Sequence, residues 1–504
     1  MQIRSESMGK QMNKRPNIVI INPDEMRWDT MGHMGNPAAS TPNLDDFARS
    51  EAVSFENAFC QNPVCVPSRC SFLTGLYPHV NGHRTMHYLL HDGKDTLFAE
   101  LRRAGYSVWM NGRNDFMAAN VPGAMATQFD EICHWTKEVK KRTFEDIRVI
   151  REFPYSHYAG VVEEIRKDIG DTAAACERIR RQKDEDQPLC LFIGWLNPHV
   201  PYMTDREHYD RIDPGKMEER VRLEDTSGKS AMIHKLYEMA EMGSFPEGLF
   251  KEMRQIYLAQ CSYIDDLFKM ITDALKEAGI YDDTAIFFLS DHGDFAGDFD
   301  LPEKAQNSFE DVLTRVPLLI KPPKGETVDP GTTAALTELV DFYATVMDYA
   351  GVEPGHDQFG VSLRPVIENR NTPNRKYVFA EGGRRACEKQ ADEYHKFGET
   401  GPKKSNDYWA KMNAEADDFA HEKGTMIRDE RYKYVMRLSG TDEFYDLQKD
   451  PKETENVIAD PRYEKEILRM KLEMLKWYQE TCDTVPREFD SRSLTEESLR
   501  PVNQ

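Results

Sequence analysis

The chain has 504 residues, which is more than one ordinary hydrophobic core requires, so two domains are expected. Hydrophobic residues make up 39% and charged residues 30%, a balance typical of globular proteins. The formal net charge of −22 argues against a nucleic-acid partner, because the phosphates would be repelled. The same charge disfavours long polyanionic substrates unless the binding pocket is locally basic.

The cysteines and the N-terminus indicate where the protein works. The nine cysteines are scattered, odd in number and without a CxxC pair, so we expect a reducing compartment and no disulfide framework. Residues 1–17 are polar and contain no apolar signal-peptide core. Apolar runs elsewhere are too short to cross a membrane. These features predict a cytoplasmic protein with no membrane partner, and they leave the oligomeric state open.

Apolar runs alternate with helical stretches along the first two thirds of the chain. Continuous apolar runs predict strands buried on both faces at 17–22, 189–196 and 284–290. Shorter strands are predicted at 53–59, 106–110 and 316–320. Helices are predicted from Pro42, with Thr41 as the cap, and at 96–104, 248–278 and 336–349, while 117–185 are expected to be mostly helical. This order predicts an α/β fold with a doubly wound, mainly parallel sheet sandwiched by helices.

Polar residues follow four of these strands. Asp24 and Glu25 follow the first, residues 111–115 and 197–202 follow two others, and Asp291 and His292 follow the last. Because a doubly wound sheet gathers the carboxyl ends of its strands on one rim, we expect these side chains to meet there. Residues 203–247 are charged and are interpreted as an insertion over this rim.

The character of the chain changes after residue 383. Residues 384–423 are dense in charge, and they are followed by strand-like pieces at 424–427, 432–436 and 443–446 and by a helix at 462–480. We therefore predict an N-terminal domain over 15–383 and a smaller C-terminal α+β domain over 384–504. Five residues can line a polar sugar pocket, although solvated surface is the interpretation we favour: Arg384, Arg385, His395, which lies outside the residues that the structure describes, Trp409 and His421.

The most informative stretch is CQNPVCVPSRCSFLTG at residues 60–75. Its centre runs from Cys65 through Pro67 and Ser68 to Arg69. It resembles the signature of type I sulfatases, C-x-P-S-R-x-x-x-L-T-G, and every defined position matches. By residue chemistry alone, Arg69 and a helix starting near Pro67 would stabilise a thiolate at Cys65. The alternative is a buried cysteine in a turn before a helix.

The resemblance implies a mechanism and a fold-wide relationship. In that family, part of the alkaline phosphatase superfamily, a maturation enzyme oxidises the cysteine to formylglycine, and the hydrated aldehyde attacks the sulfur of a sulfate ester. The stretches at 431–434, 444–447 and 450–456 resemble the C-terminal part of sulfatases. The resemblance therefore runs from about residue 17 to 456 and makes 15–383 the catalytic domain.

A divalent metal site is also implied. A hard cation with oxygen ligands neutralises sulfate oxygens, and strand-end carboxylates suit it. By resemblance the ligands are Asp24, Asp291, His292 and the modified Cys65. Glu25 stands where many members have Asp or Gln, so it is a further candidate ligand. The usual ion of the family is calcium, and a histidine ligand is also compatible with manganese.

Three other residues match family positions that act on the sulfate group. Arg69 is the partner of the formylglycine hydrate. His199, in Pro198-His199-Val200-Pro201, matches P-H-x-P, where the histidine touches the sulfate or the leaving oxygen and suits a general acid. Lys304 matches a lysine that contacts sulfate, although its spacing to the following R-V-P element is about two residues longer.

One stretch departs from the family pattern. Gly112-Arg113-Asn114-Asp115 replaces G-K-x-H. Arg113 can still bind a sulfate oxygen as a planar fork. Asp115 cannot act as the missing histidine, so we expect it to bind a sugar hydroxyl or to orient Arg113. His87, in the donor-rich segment 79–87, is a candidate sulfate contact, with a polar surface loop as the equal alternative.

These features predict a sulfatase that hydrolyses the sulfate ester of a small carbohydrate, since without a signal peptide the substrate must be imported. One alternative is a phosphonate monoester or phosphodiester hydrolase of the same superfamily. Another is a silent binding protein with an unmodified Cys65. The presence together of Asp24, Arg69, His199, Asp291 and His292 argues against it, because a binding protein does not need all five. The leaving group is expected among the loops at 79–92, 111–120, 203–247 and 384–423.

Overall fold

The computed structural model describes residues 15–118, 125–133, 158–165, 168–386, 388 and 409–486. Its strands are β1 (Asn17–Asp24), β2 (Val53–Phe55), β3 (Ala58–Phe59), β4 (Ser107–Gly112), β5 (Glu131–Cys133), β6 (Tyr158–Val162), β7 (Leu189–Pro198), β8 (Tyr202–Asp205), β9 (Thr284–Leu289), β10 (Leu318–Lys321), β11 (Gly331–Thr333), β12 (Thr337–Glu338), β13 (Val378–Gly382), β14 (Gly424–Arg428), β15 (Tyr432–Arg437) and β16 (Glu443–Asp446).

Its α-helices are α1 (Pro42–Ser50), α2 (Cys65–Thr74), α3 (Pro78–Asn81), α4 (Leu97–Arg103), α5 (Ile169–Arg181), α6 (Arg206–Asp210), α7 (Ala231–Met239), α8 (Glu247–Glu277), α9 (Asp311–Thr314), α10 (Leu339–Ala350), α11 (Arg364–Glu368), α12 (Trp409–Ala416) and α13 (Glu464–Thr481). The described part of 117–185 holds two strands as well as α5, and the rest of that range lies outside the described residues.

Eight strands form the central sheet, in the order β11-β2-β10-β9-β1-β7-β4-β5. β1 lies between β7 and β9 and is parallel to both, and β4 is parallel to β7. β10 runs antiparallel to β9 and β2. The predicted α/β class with a mainly parallel sheet is therefore confirmed.

The two faces of β1 show why its sequence is apolar throughout. Ile18 and Ile20 pack into one core together with residues of α2, α4 and α10. Val19 and Ile21 point to the opposite face and pack against α8 and its neighbours. Since successive side chains of a strand alternate between faces, burial of both faces requires a continuous apolar run. The carboxyl end of β1 is thereby held in the middle of the rim.

A second, antiparallel sheet of four strands, β13-β14-β15-β16, forms the smaller C-terminal unit. α13 packs on it through Met470, Met474 and Trp477. The rings of Trp477 and Phe379 are stacked, with their centroids 4.4 Å apart. The first strand of this sheet precedes residue 384, and the predicted division between 15–383 and 384–504 stays a prediction. No helix in the described ranges is long and apolar enough to cross a membrane.

Candidate active site

The motif around Cys65 forms a completely buried helix. α2 begins at Cys65 itself, carries Pro67 in its first turn and ends at Thr74, where the following Gly75 has a left-handed φ of 70°. Phe72 and Leu73 belong to the core beneath the sheet. The Ser68 hydroxyl donates to the backbone carbonyl of Asp291 at 2.6 Å. The signature sequence therefore docks the start of a helix against the end of β9.

The Cys65 thiol is not activated as a thiolate. It is 1% exposed, and its Sγ lies 3.6 Å from the Met86 sulfur. Burial, together with the carboxylates of Asp115 and Asp24, raises its pKa well above the usual range. Burial therefore opposes the thiolate that Arg69 and the helix start were expected to stabilise. An unmodified Cys65 is a poor nucleophile here.

Arg69 ties two strand ends together. Its guanidinium is fully buried, with Nη2 2.8 Å from Asp24 Oδ2 and Nε 2.8 Å from Asp291 Oδ2. Although burial opposes ionisation, Arg69 holds the pKa of Asp291 below its usual range. Among the described residues, Arg69 Nη1 has no hydrogen-bond partner. One buried N–H group of Arg69 is thus available to an oxygen placed in the site.

Asp24, Asp291 and His292 offer ligand atoms that lie within 4.8 Å of one another. His292 Nδ1 donates to the Gly293 carbonyl at 2.9 Å, which leaves the Nε2 lone pair facing the cluster. Burial lowers the pKa of His292 to about 4, so the ring is neutral at pH 7. Burial and the Asp291 carboxylate raise the pKa of Asp24 to about 7.

Two atoms of this cluster have no hydrogen bond within the described part of the chain. They are Asp24 Oδ1 and His292 Nε2, 3.7 Å apart. Two buried carboxylates and a neutral imidazole with a free lone pair are the donor set of a divalent cation. The predicted ligands Asp24, Asp291 and His292 therefore fit a metal ion.

Glu25 lies beside this cluster in an unusual backbone conformation. It follows β1 with a φ of 70°, and its N–H donates to Asp291 Oδ1 at 3.1 Å. Its Oε2 lies 3.0 Å from Lys304 Nζ, whereas its Oε1 has no hydrogen-bond partner among the described residues. Burial raises its pKa. The structure brings Glu25 to the site, and its role as a metal ligand stays a prediction.

His199 and Lys304 form a second buried pair at the rim. Lys304 Nζ lies 2.9 Å from His199 Nε2 and so donates to it, because His199 Nδ1 donates to the Val200 carbonyl at 2.8 Å. Burial and the Lys304 ammonium lower the pKa of His199 well below its usual value. The positive charge of the pair therefore resides on Lys304.

Arg113 and Asp115 lie at the end of β4. Arg113 Nη1 is 3.0 Å from Asp24 Oδ2, and its Nε is 2.6 Å from Asp115 Oδ2. The structure brings Arg113 and Asp115 together, and the role of Asp115 in orienting Arg113 stays a prediction. Asp115 also offers an oxygen within 4.8 Å of ligand atoms of Asp24 and Cys65. Gly112 permits this arrangement because a Cβ there would lie 2.0 Å from the Gly194 carbonyl oxygen.

Other predicted pocket residues are placed differently. His87 is exposed and has no hydrogen bond or ion pair with the cluster in the described ranges. The favoured interpretation of Arg384 and His421 as solvated surface is wrong, since they are 4% and 0% exposed. His421 Nε2 contacts Gln306 Oε1 at 2.5 Å, close in sequence to Lys304. Trp409 is partly buried at the start of α12.

The sequence interpretation missed two buried residues near the site. Glu303 is 0% exposed, and its Oε2 pairs with Lys411 Nζ at 3.2 Å. These partners are 108 residues apart. No spacing rule links them, because only the packing of α12 brings them together.

Comparison with known proteins points to one family. A family model described as Sulfatase matches residues 16–352. An arylsulfatase of Clostridium perfringens is 27% identical, with 90% of this chain and 92% of the relative covered. An N-acetylglucosamine-6-O-sulfatase of Bacteroides thetaiotaomicron is 24% identical, covering 94% and 88% of the two chains.

Among solved structures, a phosphonate monoester hydrolase of Agrobacterium radiobacter is similar with a TM-score of 0.74. It is 24% identical, and the comparison covers 96% of this chain and 99% of that one. This likeness establishes the fold. The matched family model covers more than half of the chain and contains Asp24, Cys65, His199 and Asp291. The chain belongs to the sulfatase family and is a hydrolase of sulfuric esters.

Proposed function

We propose that the enzyme hydrolyses the sulfate ester of a small carbohydrate to an alcohol and inorganic sulfate, with a formylglycine made from Cys65 and a divalent metal. The observation that carries this proposal is the position of Cys65. It begins a buried helix within 4.8 Å of Asp24 and Asp115, where its own thiol is a poor nucleophile. A maturation enzyme that modifies Cys65 is therefore part of the proposal.

Asp24, Asp291 and His292 would hold the metal, with Glu25 and the modified residue 65 as further candidates. A bound cation supplies positive charge that draws sulfate oxygens and polarises the ester. Calcium suits the carboxylates, and manganese suits the imidazole. Because two of the three proposed side-chain ligands, Asp24 and Asp291, are carboxylates, calcium is the first expectation. Arg69 keeps two of these carboxylates in place through its 2.8 Å contacts.

The formylglycine supplies a hydrated aldehyde, whose hydroxyl is a nucleophile that a thiol cannot replace. Around it the protein provides fixed donors. Arg69 Nη1, which has no hydrogen-bond partner among the described residues, would donate to an oxygen on residue 65. Lys304 and Arg113 present N–H groups at the same rim, and both suit sulfate oxygens.

The leaving alcohol needs a proton. The Lys304–His199 pair holds one proton between two buried nitrogens 2.9 Å apart. Because His199 is neutral here, it can act as the predicted general acid only after Lys304 has transferred a proton to His199 Nε2, which leaves Lys304 as a neutral amine; His199 would then pass that proton to the leaving oxygen. Asp115 can accept from a sugar hydroxyl next to the sulfate while it orients Arg113. His87 stays a predicted substrate contact at the exposed edge.

A carbohydrate leaving group is supported by the similarity to an N-acetylglucosamine-6-O-sulfatase and by the Asp115 carboxylate, which can accept from a sugar hydroxyl. A phosphonate monoester hydrolase is the second candidate, favoured by the fold match over nearly the whole of both chains. Both substrates are monoanions with tetrahedral centres, and the N–H donors of Arg69, Arg113 and Lys304 would suit the oxygens of either. Residence in the cytoplasm stays part of the proposal.

The deciding experiment uses full-length protein purified from its own host. The mass of the peptide that contains Cys65 is measured by mass spectrometry. Hydrolysis is then measured on a sulfate ester and on a phosphonate monoester that share the same leaving alcohol. Loss of the thiol sulfur with gain of an aldehyde, together with faster sulfate release, is expected. Faster phosphonate turnover would favour the second candidate. An intact thiol with neither activity would leave only a binding protein.

Metal dependence is measured on the same preparation by thermal melting with and without EDTA. A ligand at 100 times its Kd adds about 2.7 kcal/mol of stability. Calcium should therefore raise the melting temperature of the chelated protein, and Asp291→Asn should abolish that shift. A shift that survives in Asp291→Asn would place the metal elsewhere.

A further inference from the structure

Buried residues of the C-terminal unit, between 411 and 422, contact the segment that carries Lys304. We call residues 303–307 the lysine loop. Lys411 of α12 pairs with Glu303, and His421 pairs with Gln306. Asn307 Nδ2 donates to the carbonyls of Ala420 and Glu422 at 2.8 and 3.0 Å. The C-terminal unit thus contacts three of the five residues of the lysine loop, namely Glu303, Gln306 and Asn307.

The packing around this loop is tight and leaves its backbone little freedom. A Cβ on Gly382 of β13 would lie 1.9 Å from the Gln306 carbonyl oxygen. Glu303 has a left-handed φ of 59°, its N–H donates to Tyr202 Oη at 2.8 Å, and its carbonyl accepts from Phe295 at 2.7 Å. A non-glycine residue keeps such a conformation only where its surroundings enforce it.

The lysine loop also carries two opposite charges at consecutive positions, Glu303 and Lys304. The Glu303 carboxylate and the Lys304 side chain are both 0% exposed. Glu303 Oε1 has no hydrogen-bond partner within the described ranges. Tyr202 Oη accepts from the Glu303 N–H at 2.8 Å and donates to Asp294 Oδ1 at 2.7 Å, so Glu303 and Asp294 share one buried region. A carboxylate left without a cation there attracts the nearest ammonium.

Two ammonium groups serve these carboxylates. Lys304 Nζ contacts Glu25 and His199 at 3.0 and 2.9 Å. Lys411, which is 2% exposed, contacts Glu303 at 3.2 Å. We propose that Lys411 is a positioning residue: by pairing with Glu303, it keeps that carboxylate from drawing the Lys304 ammonium away from Glu25 and His199.

This inference rests on the proposed function in one respect, namely that Lys304 contacts the sulfate group. It makes α12, which comes from the C-terminal unit, a part of the sulfate site. It also assigns the charge of Lys411 to a task distinct from packing. An arginine at position 411 should therefore serve nearly as well as lysine, whereas a methionine of similar length should not.

The test uses full-length Cys65→Ala protein, which binds without turnover, titrated with sodium sulfate by calorimetry in calcium buffer. Lys411→Met should weaken sulfate binding about tenfold, and Lys411→Arg should stay within about threefold of the parent. The matched control is Lys235→Met, because Lys235 joins α7 to Asp417 at 3.1 Å without touching the lysine loop. It should leave sulfate binding unchanged.

A double variant separates charge competition from a loss of packing. Glu303→Gln with Lys411→Met removes both charges, so no carboxylate competes for Lys304 and sulfate binding should recover to within about threefold. The proposal is overturned if Lys411→Met binds sulfate like the parent, or if the double variant binds as weakly as Lys411→Met alone. Should Lys411→Met fail to fold, the double variant and Lys411→Arg still decide.

Crystal structures of the variants give a readout that does not depend on sulfate. Lys304 Nζ should leave Glu25 and His199 in Lys411→Met and return to them in the double variant. If the parent binds no sulfate, the proposed function loses its support, and the position of Lys304 Nζ alone decides the role of Lys411. An unmoved Lys304 in Lys411→Met refutes that role.

Discussion

At the scale of single residues, the site depends on one arginine that bridges two strands. Arg69 contacts Asp24 and Asp291 through two different nitrogens, and all three side chains are fully buried. A buried carboxylate that loses its cation is strongly destabilised, so each partner depends on the others. The positions of two predicted metal ligands, Asp24 and Asp291, therefore depend in part on the planar guanidinium of Arg69.

Arg69→Lys tests this dependence. One ammonium cannot reproduce both contacts, so the carboxylates should shift and sulfate release should fall by about 10²- to 10³-fold in kcat. Steady-state assays and thermal melts measure the effect. Arg102→Lys is the matched control, since Arg102 forms an ion pair with Asp130 while 38% of its side chain is exposed. Equal activity of the two variants would contradict the bridging role.

At the scale of elements, glycine at the end of β4 allows the close approach of two strands. Gly112 has a φ of 84°, and its missing Cβ leaves room for the Gly194 carbonyl of β7, which also accepts from the Arg113 N–H at 2.8 Å. Arg113 reaches Asp24 only because the two strand ends are this close. The element contact thus sets the position of a predicted sulfate ligand.

Gly112→Ala should disturb that approach. The added Cβ would meet backbone at 2.0 Å, so we expect a loss of about 2–3 kcal/mol in stability and at least tenfold weaker sulfate binding. Chemical denaturation and calorimetry measure both. Gly93→Ala is the control, because Gly93 also has a positive φ, of 83°, but open space around its Cβ position. Similar losses in both variants would mean that backbone conformation alone matters.

The segment between α12 and β14 makes stability depend on pH. Burial lowers the pKa of His421 to about 4 in the folded protein. Between pH 6.5 and 4, His421 is therefore protonated in the unfolded chain but stays neutral in the folded one. Folding stability should therefore fall as pH drops from 6.5, by up to about 1.4 kcal/mol per pH unit from this group.

Urea unfolding at pH 7.5, 6 and 5 measures this slope. His421→Gln should flatten the pH dependence, since a glutamine at this position cannot take up the proton. His91→Gln, at an exposed position, should keep the slope of the parent. An unchanged slope in His421→Gln would show that other groups cause it.

At the scale of the whole molecule, the protein has a formal net charge of −22, whereas three cationic side chains, Arg69, Arg113 and Lys304, lie at the rim of the sheet. Small monoanions can reach such a rim, whereas a long polyanion meets repulsion from the rest of the surface. Repulsion of this kind is screened by salt. The balance of local and global charge therefore favours small sulfate esters.

A comparison of substrates at two salt concentrations tests this preference. The kcat/KM for a sulfated mono- or disaccharide should exceed that for a long polymer with the same sulfated unit. Raising salt from about 0.01 M to 0.15 M should narrow the gap, because the screening length shortens from about 30 Å to about 8 Å. Faster turnover of the intact polymer at low salt would exclude a small-substrate enzyme.

The sequence by itself determined the α/β class, the central strands and the residues that meet at the rim. Runs such as 17–22 and 284–290 must be buried on both faces, and Asp24 and Asp291 must then follow them at one edge. The Cys65 motif is local, so its helix start was also predictable. These features depend on neighbouring residues and on strand direction.

Only the tertiary structure decided the charges and partners. The pKa of Cys65 depends on desolvation, which no local pattern reports. The burial of His421 and the pairing of Lys411 with Glu303 arise because α12 packs against the lysine loop from more than 100 residues away in sequence. Ionisation and long-range pairing depend on the whole fold, and residue spacing alone cannot supply them.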